Sequence, residues 1–253
     1  VIADPLVIAI IAFVCVFGGA LLGIRLGRML PADHLDADSK DVVRLGMGIV
    51  ATMVALVLGL LIASAKGFYD TQNSELTQVS ANVVLLDQML DHYGPQVALE
   101  RAQLRAATKQ WLDQLWSTEH SGLADALPRS TGASKLFDEL ESLVPKTDKQ
   151  RELKGQALSV GMAIGQTRWL MYEQRATPIP LPLMIALIIW LTLVFISSGL
   201  FARANPTVIA ASFAAALSVS GAMWLIMEMY QPYSGVIRIS NAALQAALAQ
   251  LGQ

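Results

Sequence analysis

Charge is scarce in this chain of 253 residues. Asp, Glu, Lys and Arg make up 15% of it, where soluble domains carry about 25%. What charge there is sums to a net −2, so no basic excess is available to hold a nucleic acid. The single cysteine, Cys15, cannot form an intrachain disulfide and says nothing of redox compartment. The three histidines are His34, His92 and His120, and none falls in a His-Glu-x-x-His pattern. Gly-x-Ser-x-Gly and phosphate-loop patterns are also missing, so the sequence offers no case for an enzyme. GMGIVA (46–51) matches a dinucleotide fingerprint by letters alone. It opens an apolar run with no strand before it, which rules that reading out. No cofactor is implied.

What the chain has in excess is apolar sequence, 54% of all residues, gathered into four runs. They cover Leu6–Ile24, Val43–Ala65, Leu181–Phe201 and Val208–Met229. Each is close to the ~20 residues that cross a ~30 Å hydrocarbon core. The first run is followed, not preceded, by Arg25 and Arg28, so it reads as a span and not as a cleaved leader. The expectation is an all-α membrane protein with four transmembrane helices and a large helical insertion between spans two and three. Its parts are residues 1–65 with spans one and two, 66–178 as an extramembrane helical bundle, 179–230 with spans three and four, and 231–253 as a turn and a short amphipathic helix. The two arginines after span one place the short loops in the cytoplasm by the positive-inside rule, which makes 66–178 extracytoplasmic.

The second span has no proline at its exit, and its one glycine there is Gly67. Beyond it, Leu76, Val79, Val83, Leu86, Leu90 and Tyr93 recur at alternating steps of three and four, the spacing of a coiled-coil seam. Gly94-Pro95 is the first stop. One helix from Asp41 to Tyr93 follows, roughly 80 Å long at 1.5 Å per residue. The alternative is two helices with a bend at Gly67. Leu76, Val79, Val83, Leu86 and Leu90 are then either an oligomer seam or a face turned to the chain's own neighbours. Further on, Leu136, Leu140 and Leu143 mark a short helix, after a loop over residues 121–134. Thr147 with Gln150 marks a capping box opening a helix through Leu153, Ala157, Val160, Ile164 and Met171. Thr177–Pro182 ends it. Ser240 caps a last helix bearing Leu244, Leu248 and Leu251.

LPADHLDADSKDVVRLGMGIVATMVALVLGLLIASAKGFYDTQNSEL, with LLDQMLDHYG and QPYSGVIRIS further on, resembles a bacterial family of bestrophin-like membrane proteins across nearly the whole chain. The resemblance implies the bacterial inner membrane, a homo-oligomer (a pentamer, by analogy with bestrophins), and an anion channel whose second span lines the pore. The phenylalanines of the bestrophin neck have no counterpart, because the second span contains no phenylalanine. The bestrophin extramembrane domain is cytoplasmic, opposite to the charge reading.

Gly48, Thr52, Ala55, Gly59 and Ala63 recur at steps of four and three, and Lys66 and Asp70 continue the face. This stripe is either a close helix-packing surface or a pore lining with charged rings at its mouth. In the second case Leu58 or Ile62 is the gate. Lys66 alone is also explained as an interfacial anchor whose amine reaches to water. Gly19, Gly23 and Gly27, and likewise Ala211, Ala215, Ser218 and Ala222, read as packing faces. Glu228 reads as an acid at headgroup level or as a partner for Lys66, Arg175 or Arg238. DHLDADSKD (33–41) lacks the glycine and terminal glutamate of a calcium loop, and helix capping accounts for its acids, so no metal is expected. Two functions remain: an ion channel, or a non-conducting scaffold or sensor whose helical part binds a partner.

Overall fold

A computed structural model describes residues 4–29, 37–116, 131–176, 181–202 and 205–252. Residues 33–36 of the acidic stretch and the side chains of 37–39, most of the loop at 121–134 and residues 177–180 lie outside that description, with His34, His120, Arg203 and the side chain of Arg175. Among the described residues there is no strand. The helices are α1 (Pro5–Met29), α2 (Ala37–Tyr93), α3 (Ala98–Trp116), α4 (Thr131–Ser142), α5 (Asp148–Ala176), α6 (Leu181–Leu200), α7 (Pro206–Met229) and α8 (Ala242–Gln250). The fold class expected from the sequence is the one observed. Four of these helices are long and apolar enough to cross a membrane: α1, α2, α6 and α7.

α2 is a single helix of 57 residues. The helix runs through Gly67 without interruption. It ends at Gly94, whose φ of 125° is open to glycine and strained for other residues. Pro95 follows at the first position of a 3₁₀ turn, Pro95–Val97.

The chain divides into two compact units. The first comprises Val1–Phe68 and Pro178–Gln231. Three of the four glycines of α1, Gly19, Gly23 and Gly27, carry its packing. A Cβ on Gly19 would press on Thr192 at 3.0 Å, and one on Gly23 or Gly27 would collide with the carbonyl of Ile196 or Leu200. Gly199 of α6 returns the contact against the Ala20 carbonyl. Backbones this close need glycine on both sides, as small residues permit between membrane helices. α1 meets α7 through aromatic rings. Phe213 stands edge-on to Phe13 and Phe17, with centroids 5.4 and 5.5 Å away. α2 adds Val54, Leu61 and Ala65 to this core, beside Leu187, Leu191, Met223 and Ile226.

The second unit comprises Tyr69–Thr177 and Pro232–Gln253. The C-terminal segment, set apart in the sequence reading, therefore folds with the large insertion. Ile239, Leu244 and Leu251 share a core with Leu76, Val83, Trp111, Leu140 and Met171. Trp116 donates its ring N–H to the Ile239 carbonyl at 3.2 Å and packs edge-on against Tyr233. α5 starts as its cap predicted, with the Gln150 N–H donating to Thr147 Oγ1 at 3.2 Å. Gln150 Oε1 accepts from the Lys146 N–H, one residue before the cap, and Gln150 Nε2 donates to the Tyr93 carbonyl. That last bond satisfies one of the carbonyls left open at the end of α2.

Candidate functional site

The stripe singled out in the second span lies on the outside of the first unit. Gly48, Thr52, Ala55, Gly59, Ala63, Lys66 and Asp70 are all exposed. A Cβ placed on Gly48 or Gly59 meets no atom within 4 Å. Small residues that let helices approach are therefore not used for packing inside this chain, unlike Gly19, Gly23 and Gly27. Thr52 donates its hydroxyl to the Gly48 carbonyl at 2.9 Å, which occupies it along its own helix.

The remaining surface of this stretch divides in two. Val54, Leu61 and Ala65 turn inward. Leu45, Ile49, Met53, Leu56 and Leu60 stand out beside the small stripe, with Leu56 71% exposed. At 100° per residue these bulky side chains centre about 80° from the small ones around the helix axis. α2 thus presents three faces: one to its own unit, one bulky and apolar, one small and weakly polar. The two gate residues separate as well. Leu58 packs partly against the unit's core, whereas Ile62 is exposed. Only Ile62 of the pair stands on the outer surface with the stripe.

α2 is the least covered of the four membrane helices. Its most apolar window is 11% buried within the chain, against 33% for α1, 28% for α6 and 22% for α7. On α7, Ala211, Ala215 and Ser218 are exposed within the chain, and Ala222 is half-buried. The face that α7 turns to its own unit is Ala216, Ser220, Met223, Ile226 and Met227. Glu228 is buried within the chain. Nearby, Ser64 and Tyr230 share a hydroxyl contact of 3.2 Å, and Phe68 lies 5.5 Å from the Tyr230 ring.

A family model for the Bestrophin-like domain matches residues 14–244. The chain belongs to the bestrophin-like family. No curated protein and no solved structure matches it. With four membrane-length helices, this bestrophin-like protein is an integral membrane protein.

Leu76, Val79, Val83, Leu86 and Leu90, read from the sequence as an oligomer seam or as a face turned to the chain's own neighbours, are between 0 and 3% exposed within the single chain. They form the core of the second unit with α3, α4, α5 and α8. A heptad spacing states that a helix has a partner along one stripe and does not say whose helix it is. Here the chain covers the stripe itself.

The sequence reading passed over the polar groups that fasten this bestrophin-like protein's second unit. Asp87 accepts from Arg101 Nε and Nη2, both at 2.9 Å, and from the Gly252 N–H at 3.2 Å. Burial pushes the Asp87 carboxyl up. The hydrogen bonds from Arg101 and Gly252, with the charges of Arg101 and Arg105, outweigh it and hold the group below the ordinary carboxylate range. Gln72, fully buried, donates to Gln174 Oε1 at 2.8 Å, and Gln174 Nε2 donates to Glu75 at 2.7 Å. Polar residues flanking an apolar seam were the available signal for both networks.

Proposed function

We propose that this bestrophin-like protein is a homo-oligomeric ion channel, not an enzyme, in which copies of α2 surround a common axis. The observation that carries this reading is the small stripe from Gly48 to Ala63, exposed at every position, with no atom within 4 Å of a Cβ placed on Gly48 or Gly59. An isolated subunit would offer exposed helix backbone to lipid at these positions. A ring of subunits gives the stripe a use, either as the pore wall or as the contact between adjacent copies. Lys66 and Asp70 extend the same face where the apolar sequence ends, as charged rings that set ion preference. Ile62 supplies the apolar constriction, exposed on the same side of the helix. A pentamer is the subunit number that bestrophins suggest. The short loops lie in the cytoplasm, as the arginines after α1 favour.

The experiment is single-channel recording of purified protein in planar bilayers, across several ions and voltages. The reading expects unitary currents whose anion-to-cation preference shifts with Lys66→Glu and, in the opposite direction, with Asp70→Lys. Silence of the wild type under all conditions, with protein shown to be folded and inserted, overturns it. Residues 69–177 with 232–253 would then be the working part of a membrane-anchored scaffold.

A further inference from the structure

The second unit carries a partly open cleft of about 400 Å³, within the range of small-molecule sites, ~300–1,000 Å³. Its walls come from α2, α3, α4 and α5, with Val83, Leu86, Leu104, Leu136 and Leu140 among them. Arg168 is the one charged group in this lining. It stands in an apolar register: Ala157, Val160, Ile164 and Met171 space out a helical face, and Arg168 occupies the step between the last two. Its guanidinium carbon lies 5.0 Å from the centroid of the Trp111 ring, within cation–π distance. Its Nε–H is buried and has no hydrogen-bond partner among the described residues. Burial draws the Arg168 pKa down from its ordinary value, yet a guanidinium starts so high that it stays charged. Arg168 as a whole is half-buried, but a guanidinium with its Nε–H shut from solvent and unpaired among the described residues favours a counter-charge.

The cavity is also kept open at some expense. Gly161 and Gly165 line it, one turn apart in the interior of α5. Glycine in a helix interior is less favourable than alanine by about 1 kcal/mol. Close packing does not require either one. A Cβ on Gly161 would find only Phe137 at 3.9 Å, and one on Gly165 would find nothing within 4 Å. Gly161 is half-buried and Gly165 stands exposed at the rim, so both leave open space beside Arg168 that a larger side chain would narrow.

We propose that this cavity binds a free single-chain amphiphile with a carboxylate head, the head paired with Arg168 and the tail among Leu86, Leu104 and Leu136. A planar guanidinium with an unspent Nε–H suits a carboxylate in paired hydrogen bonds. The apolar walls suit a hydrocarbon chain. This site does not depend on the channel reading and would serve a conducting or a non-conducting protein alike.

The test uses the full chain in nanodiscs of purely zwitterionic lipid, so that no anionic lipid competes. Decanoate is titrated by calorimetry, with the heat of empty nanodiscs subtracted. The proposal expects saturable binding of one decanoate per chain. It expects affinity to rise about tenfold for each two methylenes added from hexanoate to decanoate, as the transfer of methylenes from water predicts. Arg168→Gln weakens binding at least tenfold, and decyltrimethylammonium shows no saturable component. Gly165→Phe fills the space and abolishes binding, while its melting temperature stays at or above that of the wild type. Gly165→Leu serves if the larger ring prevents folding. The proposal is overturned by absence of saturable decanoate binding over empty nanodiscs, by equal affinity in Arg168→Gln, or by equal binding of the cationic analogue. Should Arg168→Gln not fold, the comparison of decanoate with decyltrimethylammonium on the wild type decides.

Discussion

The two halves of α2 satisfy their apolar residues in opposite ways. From Leu76 to Leu90 the side chains on one stripe are covered by α3, α4, α5 and α8, and almost nothing of them remains exposed. From Gly48 to Ala63 the small face stands uncovered, and the bulky face next to it also points away from the chain. In water, an exposed stripe of leucines and valines drives a chain to wrap itself, because burial there is strongly favourable. In lipid that drive is missing, since hydrocarbon tails are as apolar as leucine. The membrane half is therefore free to leave faces open for lipid or for other copies. A search for subunit contacts belongs on the half without the coiled-coil pattern.

Substitutions on the two halves can break this contrast, and the largest effect is expected within the first unit. Gly23→Leu drives a side chain into the Ile196 carbonyl and should yield no monodisperse folded protein on size-exclusion chromatography. Gly59→Leu is the matched control, because it meets nothing in its own chain. If Gly23→Leu expresses and folds as well as Gly59→Leu, the α1–α6 contact is wrong.

Next in size is Asp87→Asn, which leaves Arg101 with a weakened partner in a mostly buried site. Loss of about 3–5 kcal/mol is expected by chemical denaturation of the extramembrane helices, as for breaking one side of a buried pair. The pH dependence has a defined sign. The folded carboxyl titrates below the ordinary 3.8, so the stability it adds is fully present above that value. It is lost as pH falls through the folded pKa, where the group takes up its proton. Asp87→Asn should flatten that acid limb. A wild type and variant with the same acid midpoint would remove Asp87 from the account.

Leu86→Ala should cost about 2–5 kcal/mol as a core truncation, and native mass spectrometry should show the subunit number unchanged. A change in subunit number with little loss of stability would restore the seam to the oligomer interface. The smallest effect on stability belongs to Gly59→Leu, within about 0.5 kcal/mol of the wild type for an uncovered position. Its readout is assembly: the oligomer should dissociate or lose members in native mass spectrometry. Intact oligomers with Gly59→Leu and also with Ala63→Leu would mean that this face is not a contact between copies.

Much of this was legible in the residues. The apolar runs, the glycine ladder of α1, the stop at Gly94-Pro95 and the Thr147 cap each depend on neighbours in sequence, and each is found in the structure. The partner of the heptad stripe was not legible, because a step pattern carries no address. What the small face of α7 meets was not legible either. Ala211, Ala215, Ser218 and Ala222 look much like Gly19, Gly23 and Gly27 by spacing, but alanine faces do not force contact as bare backbone does. Arg168 was hidden in an apolar register, where a cation signals an exception only once the surrounding walls are known.

The sequence by itself determined the helical class, the four membrane-length spans and the stop at Gly94-Pro95, because hydropathy and helix-breaking residues act locally. Tertiary structure alone decided which faces are covered. It assigned the seam to the chain's own core, left the small stripe of α2 bare, brought the C-terminal segment into the second unit and set Arg168 beside an empty apolar space. Those outcomes depend on residues far apart in the chain competing for the same surface, and no local pattern records who wins.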